Sequence, residues 1–506
     1  EFSMGKFQTA PIFTNGMVLQ RSRNICIFGT GDEGTEVIGE LCGFRSSCTV
    51  TNGKWKIVFP PMGACRFVIL KLYDADNDNV IRIENVAIGE VWLAGGQSNM
   101  EFELCNCKGG KEALENDDTK DVRYYYVPKK TIYDEDYEEN MQNAKWTDFS
   151  DKDAAAHWSA VGYYFAKEMS QYLDVTVGVI GCNWGGTSAS CWIQREYATG
   201  DTKVYFDDYD AAIEGKDINQ LIADYREYEK YQQRWWEKSG EYYASEGEHT
   251  WDGCLEYCMS VGPDRYPGPM APCNPTAPGI LYESMVSRVL PYTLGGVLWY
   301  QGETDETHPD AYYTLLTQLI RNWREAWGDD ELPFIIGQLP MYAGGSPDGD
   351  SWSRIREAQM RAYKTIKNTG IAVLLDCGER DDIHPKDKQP VGHRFAMQAL
   401  DMVYGGCDGA FAPTLKNVIW RGDMVELQFA NARGGFKVKG EPEGFEMCGE
   451  DGVYIPVYAD VSGERIFLSD DAIERPCGVR YLWKNYADIH IFSGFGLPLA
   501  PFRIKK

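Results

Sequence analysis

Four short stretches of this 506-residue chain place reactive side chains directly after apolar runs that read as strands. Gly95-Gly96-Gln97-Ser98-Asn99-Met100 follows Val91–Ala94, and Gly181–Thr187, with its Gly185-Gly186 pair, follows Thr176–Ile180. Gln301-Gly302-Glu303-Thr304 follows Gly296–Tyr300, and Asp381-Asp382-Ile383-His384 comes soon after Ile371–Asp376. Together they supply a hydroxyl nucleophile, a glycine turn able to present a backbone N–H, a side-chain amide donor and a carboxylate–imidazole pair. That is the inventory of acyl transfer. Ser98 lies where a strand must turn, beside glycines that permit a tight bend. Its neighbours read G-x-S-x-M and not the G-x-S-x-G elbow of α/β-hydrolases. His384 has carboxylates at minus three and minus two, suited to holding the ring as a base near neutrality. Taken singly, Ser98 also reads as a capping serine and His384 as a satisfied structural histidine; the joint placement at strand ends favours chemistry. Of the other histidines, His157, His393 and His490 fall in helix or strand patterns, and His249 and His308 lie in polar surroundings.

These stretches need a scaffold that gathers strand ends. Between residues 86 and 406 apolar strands alternate with helical runs near Ala154–Tyr172, Ile280–Leu290, Asp310–Trp327, Ile355–Lys367 and Gly392–Val403. Such alternation predicts an α/β domain whose parallel sheet is covered on both faces. Ligands bind outside the carboxyl ends of such strands. The five strand candidates suffice for a flavodoxin-like sheet. Residues 1–85 read as an N-terminal β module, sandwich-like, with turn signals such as Thr51-Asn52-Gly53. Residues 407–506 return to short alternating strands and predict a second β module. Within the α/β domain, about 201–274 form a polar, aromatic insertion that includes Tyr225–Lys238 and ends in a Pro/Gly-rich loop, Val261–Pro278. It reads either as a solvated helical excursion or as a lid that shapes substrate access. No internal repeat or low-complexity tract is present.

Composition narrows the partners. With 50 basic against 76 acidic residues, the formal charge of −26 disfavours nucleic acid and other polyanions, so a neutral substrate is expected. The 67 aromatic residues suit stacking on sugar faces, although most belong to cores. Fifteen irregularly spaced cysteines read as reduced, buried thiols and not as a disulfide framework. No metal site or other cofactor is expected. No apolar run is long enough to span a membrane. The N-terminus lacks the basic-then-apolar pattern of a retained signal peptide, and the residues ahead of Met4 read as a cloning remnant. A cytoplasmic location is the expectation, a secreted form is not excluded, and the oligomeric state is not legible.

Gly96-Gln-Ser-Asn-Met-Glu101, Trp299-Tyr-Gln-Gly-Glu303 and Asp382-Ile-His-Pro385 resemble the signatures of the sialate O-acetylesterase family within the SGNH (GDSL-like) hydrolases. Supporting matches include Met17-Val-Leu-Gln-Arg21, Gly89-Glu-Val-Trp92, Trp192, Arg356-Glu-Ala-Gln359 and Lys388-Gln-Pro-Val-Gly392, in the family's order. The resemblance implies an SGNH hydrolase domain and a carbohydrate O-acetylesterase. Ser98 would be the nucleophile, His384 the base, and Asp381 the orienting acid, with Asp382 as the alternative. It also implies an oxyanion site built from the Ser98 N–H, Gly185 or Gly186, and Gln301. Gln97, Asn99 and Glu303 complete the candidate oxyanion and substrate-binding set, Glu303 as part of the framework around the third motif. The implied substrate is an acetylated sugar, either a sialic acid or an acetylated xylan or mannan fragment. A non-catalytic carbohydrate-binding protein is the contrasting reading, which intact Ser98, Gln301 and His384 disfavour.

Overall fold

The computed structural model describes residues 6–119 and 121–506, so the reading of the N-terminal residues through Gly5 lies outside it. Its central element is one strand of 17 residues, Val80–Gly96. The first part alternates in exposure and pairs antiparallel with Cys65–Asp74, with Leu70 opposite Ile83. From Val86 to Gly96 every residue is buried. Here the strand runs parallel to Val177–Asn183 on one side and Gly296–Tyr300 on the other. Alternation marks a sheet with one wet face, and a continuous apolar run marks one covered on both faces. A single strand therefore changes environment midway. The boundary expected at 85/86 falls inside it.

The large mixed sheet runs in the order Thr147–Asp148, Val122–Tyr126, Val177–Asn183, Val80–Gly96, Gly296–Tyr300, Phe334–Gln338, Thr369–Val373. All but the first of these are mutually parallel. The run of parallel strands is thus six and not the expected five. The additional strand, Val-Arg-Tyr-Tyr-Tyr at 122–126, has no aliphatic run to announce it, and Arg123 is buried. Its Nη1 donates to the Gly16 carbonyl at 2.9 Å and the Asn85 carbonyl at 2.5 Å, while Nε is buried without a partner. That pairing allows a charge inside a strand covered on both faces.

Helices Ala160–Leu173, Pro309–Trp327, Ser351–Thr365 and Gln389–Tyr404 cover the sheet. One continuous core runs from Phe7 through Trp92 and Trp299 to Leu400. In the N-terminal region a second sheet of Phe7–Thr9, Ile25–Gly31 and Lys54–Phe59 faces the first across Gly39, where a β-carbon would stand only 3.0 Å from the Phe59 ring and 3.3 Å from Ile57. The C-terminal strands form two four-stranded sheets and a two-stranded ribbon, and their core includes Met341, Ile371 and Val373 of the α/β region. The insertion contains helices Lys203–Ile213, Ile218–Ala244 and Trp251–Cys258. All fifteen cysteines are free. Among the described residues no helix is long and apolar enough to cross a membrane.

Arg356 joins the C-terminal region to the sheet. It is wholly buried, and its guanidinium donates to the carbonyls of Leu339 at 3.0 Å and of Pro340, Lys484 and Asn485 at 2.9 Å. Burial pushes its pKa down to about 9. Replacing it by Met leaves the Leu339, Pro340 and Lys484 carbonyls without their donor, each worth about 1–3 kcal/mol where buried and unpaired, while the Asn485 carbonyl keeps the Tyr342 N–H. Arg356→Met is expected to lower stability by roughly 3 kcal/mol or more in urea unfolding; a wild-type midpoint would show that those carbonyls find other partners.

Candidate active site

Ser98 opens a four-residue helical turn, Ser98–Glu101, at the end of the long strand. Gly96 makes the turn possible. Its φ is +136°, and a β-carbon there would stand 2.0 Å from the Tyr300 carbonyl oxygen. The close approach lets the Gln97 N–H donate to that same oxygen at 3.2 Å. As the first residue of its turn, Ser98 has an N–H with no acceptor inside the helix.

His384 arrives from the loop beyond Thr369–Val373, and its Nε2 lies 3.0 Å from Ser98 Oγ. Three bonds fix this loop. The His384 N–H donates to Asp382 Oδ1 at 2.9 Å, the Trp251 N–H donates to Asp382 Oδ2 at 3.2 Å, and Asn99 Nδ2 donates to the Ile383 carbonyl at 3.0 Å. Asp381 does not take the orienting place expected of it. Its side chain is 73% exposed and pairs with Arg380 at 2.6 Å. The reason is local: Asp382 closes an Asx-type turn onto the N–H two residues ahead, which leaves the preceding side chain facing solvent. Asp382 thus fixes the backbone that carries the ring and makes no bond to the ring itself. Trp251, from the insertion, packs edge-to-face on the imidazole with centroids 4.8 Å apart. Burial, assisted by the charge of Lys388, pushes the His384 pKa down to about 3.

The turn rests on a buried polar frame. Lys388 Nζ donates to Asn99 Oδ1 at 2.6 Å, and Asn99 Nδ2 also donates to Glu303 Oε1 at 2.8 Å. Burial holds Lys388 down at about 8 and raises the Glu303 carboxyl. Asn99 and Glu303 are therefore internal supports and not groups offered to a substrate. Gln301 is likewise placed differently from the donor role. Its Nε2 donates to Asp305 Oδ2 at 2.6 Å and to the Thr187 carbonyl at 3.1 Å, and its Oε1 accepts from Tyr312. Both amide protons are occupied by strong acceptors, so none is left for a substrate oxygen. Gln97 Oε1 accepts from the Thr304 N–H at 3.2 Å.

Gly185 faces the nucleophile, since a β-carbon there would lie 3.4 Å from Ser98 Cβ. Its N–H donates to Glu101 Oε2, and Glu101 Oε1 accepts from Lys129 Nζ at 2.5 Å. The Gly186 carbonyl accepts from Tyr266 OH of the insertion. Ser98, His384, Gln97 and Gly185 thus converge. Asp305, Trp251 and Tyr266 carry no motif signal and escaped the sequence reading. Asp305 was recognisable only as the acid two residues past Glu303, and it also ties Ser188, Ala189 and Tyr205 to the site.

Glu103, Cys105 and His157 form the one mixed cluster among the described residues whose donor types could hold a metal, with donor atoms within 4.8 Å of one another. Burial raises the Cys105 thiol to about 12, so it is protonated at neutral pH, and Glu103 already bonds His157 Nδ1 at 2.8 Å. The cluster is a hydrogen-bonded surface group.

A hydroxyl within hydrogen-bond distance of an imidazole at the strand ends of an α/β sheet is an arrangement able to carry out acyl transfer. Residues 274–401 match the family model described as carbohydrate esterase, sialic acid-specific acetylesterase. Over 467 residues the chain is 25% identical to the sialate O-acetylesterase of Rattus norvegicus, a span of 84% of this chain and 79% of that one. The Homo sapiens sialate O-acetylesterase is 24% identical, over 83% of this chain and 74% of its own. A crystal structure of a carbohydrate acetylesterase from Xanthomonas citri superposes with a TM-score of 0.77 at 25% identity, covering 99% of this chain and all of that one. The resemblance to the sialate O-acetylesterases carried by the motifs therefore extends along most of the chain.

Two outcomes follow from the site's electrostatics. With its imidazole near 3 in the fold and near 6.5 when unfolded, His384 stays neutral through mild acid. The acid limb of kcat/KM on 4-nitrophenyl acetate is expected below about pH 5, and a limb at about 6–7 would contradict the burial of the ring. Between the two values only the unfolded chain takes up the proton, so the same group costs stability as pH falls from 6.5. Asp382→Asn is expected to lower kcat by about 10–10²-fold through misplacement of the ring, and Asp381→Asn by less than about twofold; the reverse order would restore Asp381 to the orienting role.

Proposed function

We propose that this chain is an SGNH-type carbohydrate O-acetylesterase working through Ser98 and His384. The observation that carries the reading is the 3.0 Å approach of Ser98 Oγ to His384 Nε2 at the end of the central strand. Ser98 Oγ attacks the acetyl carbonyl carbon while its proton passes to Nε2, and the carbonyl electron pair moves onto oxygen. The Ser98 N–H is suited to that oxyanion, as is the Gly185 N–H once Glu101 yields it, and the amide of Gln97 takes the part expected of Gln301. Collapse of the intermediate breaks the ester bond, and the departing sugar oxygen takes the proton from His384. Water then attacks the acetyl-Ser98 ester, gives its proton to His384, and acetate leaves as Ser98 recovers that proton. The pair works as a dyad, with Asp382 orienting His384 through the backbone.

Charge favours a neutral acetylated sugar over a sialic acid. Lys129, the cation at the Gly185 corner, is already paired with Glu101, and the chain as a whole carries −26. Acetylated xylo- or manno-oligosaccharides meet no repulsion there.

Ser98→Ala and His384→Ala are each expected to reduce kcat on 4-nitrophenyl acetate by about 10³-fold or more. Acetate release, followed by NMR on acetylated xylo-oligosaccharides, manno-oligosaccharides and sialic acid, is expected to be faster on the neutral sugars. Undiminished turnover by Ser98→Ala would remove the nucleophile, and failure on every sugar would remove the carbohydrate substrate.

A further inference from the structure

The insertion places a short row of rings against the imidazole. Helices Ile218–Ala244 and Trp251–Cys258 pack on each other through Tyr231, Trp235, Cys254 and Cys258. Trp235 is buried, whereas its neighbour Trp236 is 51% exposed. Trp236 lies 6.4 Å from Trp251, centroid to centroid, with the planes only 31° apart. Trp251 meets the His384 ring edge-to-face at 4.8 Å and is pinned through its N–H to Asp382. Trp235 braces Trp236 from the side at 5.3 Å. An exposed apolar residue standing alone is ordinary on a protein surface. This one is braced by Trp235 and tilted by 31° to the ring that touches His384, and a tryptophan placed in that way offers a face to the C–H surface of a sugar.

From this arrangement, and resting on the carbohydrate-esterase reading above, we infer that Trp236 and Trp251 form a stacking subsite for a neutral pyranose that adjoins the acetylated one, so that the insertion selects oligosaccharides over single sugars. Charge restricts the occupant. Residues 201–274 carry 16 acidic against seven basic side chains, a field that repels a sugar carboxylate and leaves neutral glycans unopposed. The rings also explain why the insertion is anchored to the loop of the base and not merely laid on the surface: the distance between platform and nucleophile is fixed.

The test compares the full-length protein with Trp236→Ala and Trp236→Tyr on acetylated xylo-oligosaccharides and on acetylated xylose. For Trp236→Ala, KM on the oligosaccharides is expected to rise about three- to tenfold with kcat retained, and the ratio of oligosaccharide to monosaccharide kcat/KM to fall by the same factor. Trp236→Tyr is expected to recover most of the loss. An unchanged ratio, an equal loss on both substrates, or a KM rise confined to an acetylated sialoside would overturn the subsite. Binding is read separately, by tryptophan fluorescence of the Ser98→Ala protein with unacetylated xylohexaose and mannohexaose. A saturable change that disappears with Trp236→Ala supports the platform, and no change with either sugar overturns it. Absence of acetate release from acetylated xylose and from every acetylated oligosaccharide alike, with the fluorescence response intact, would instead count against the esterase reading alone.

Discussion

A hydrogen bond of 3.0 Å between Ser98 and His384 closes a gap of 286 residues along the chain. Its geometry is not imposed by either residue. Ser98 is aimed by a glycine that lets two backbones meet, and His384 by a turn whose own carboxylate folds back on the peptide. Buried polar groups keep those two turns in register. Asn99 is the most direct of these, because it sits beside the nucleophile and bonds the carbonyl next to the base. Through Lys388 and Glu303 it is held from two further sides.

Such a frame is costly to bury and strict once formed. Gln301, Asp305, Tyr312 and Gln359 satisfy one another and the surrounding carbonyls with almost no exposed surface. A fully satisfied network of this kind permits one arrangement and penalises neighbouring ones, because any shift leaves a polar atom without a partner. The arrangement also changes what the third motif is for. Gln301 belongs to a signature associated with the oxyanion, yet its amide is consumed internally and it acts as a wedge between the ends of two strands. The low proton affinity of His384 has a similar origin: burial of the ring, with Trp251 against it, comes first, and the charge of Lys388 adds to it.

Much of this was legible from residue order. Apolar runs at 91–94, 176–180, 296–300, 334–338 and 371–376 marked strands, and the polar segments after them marked the site. The helices expected around 310–327 and 392–403 occur as Pro309–Trp327 and Gln389–Tyr404. Val122–Tyr126 was missed because a buried arginine among tyrosines lacks the aliphatic character on which strand recognition depends. The surroundings of His384 were legible only in part, for a different reason. Spacing put two acids near His384, but which one folds back onto its loop and which turns to solvent depends on a turn conformation that spacing does not specify. Trp251 was beyond reach altogether, since nothing in the order of residues says that an insertion more than 130 positions from His384 folds back over it.

The strand Val80–Gly96 belongs to two sheets at once, and this binds the fate of the N-terminal segment to that of the nucleophile. Its early half is zipped to Cys65–Asp74 and its late half ends at the serine turn. Dividing the polypeptide at residue 86 would cut through a continuous ladder and expose a raw hydrogen-bonding edge beside the Ser98 turn. The leading β segment is therefore no detachable cassette. It can be exchanged or lost only together with the beam that carries the serine, so grafting this catalytic region onto another scaffold requires the first ninety or so residues to travel with it.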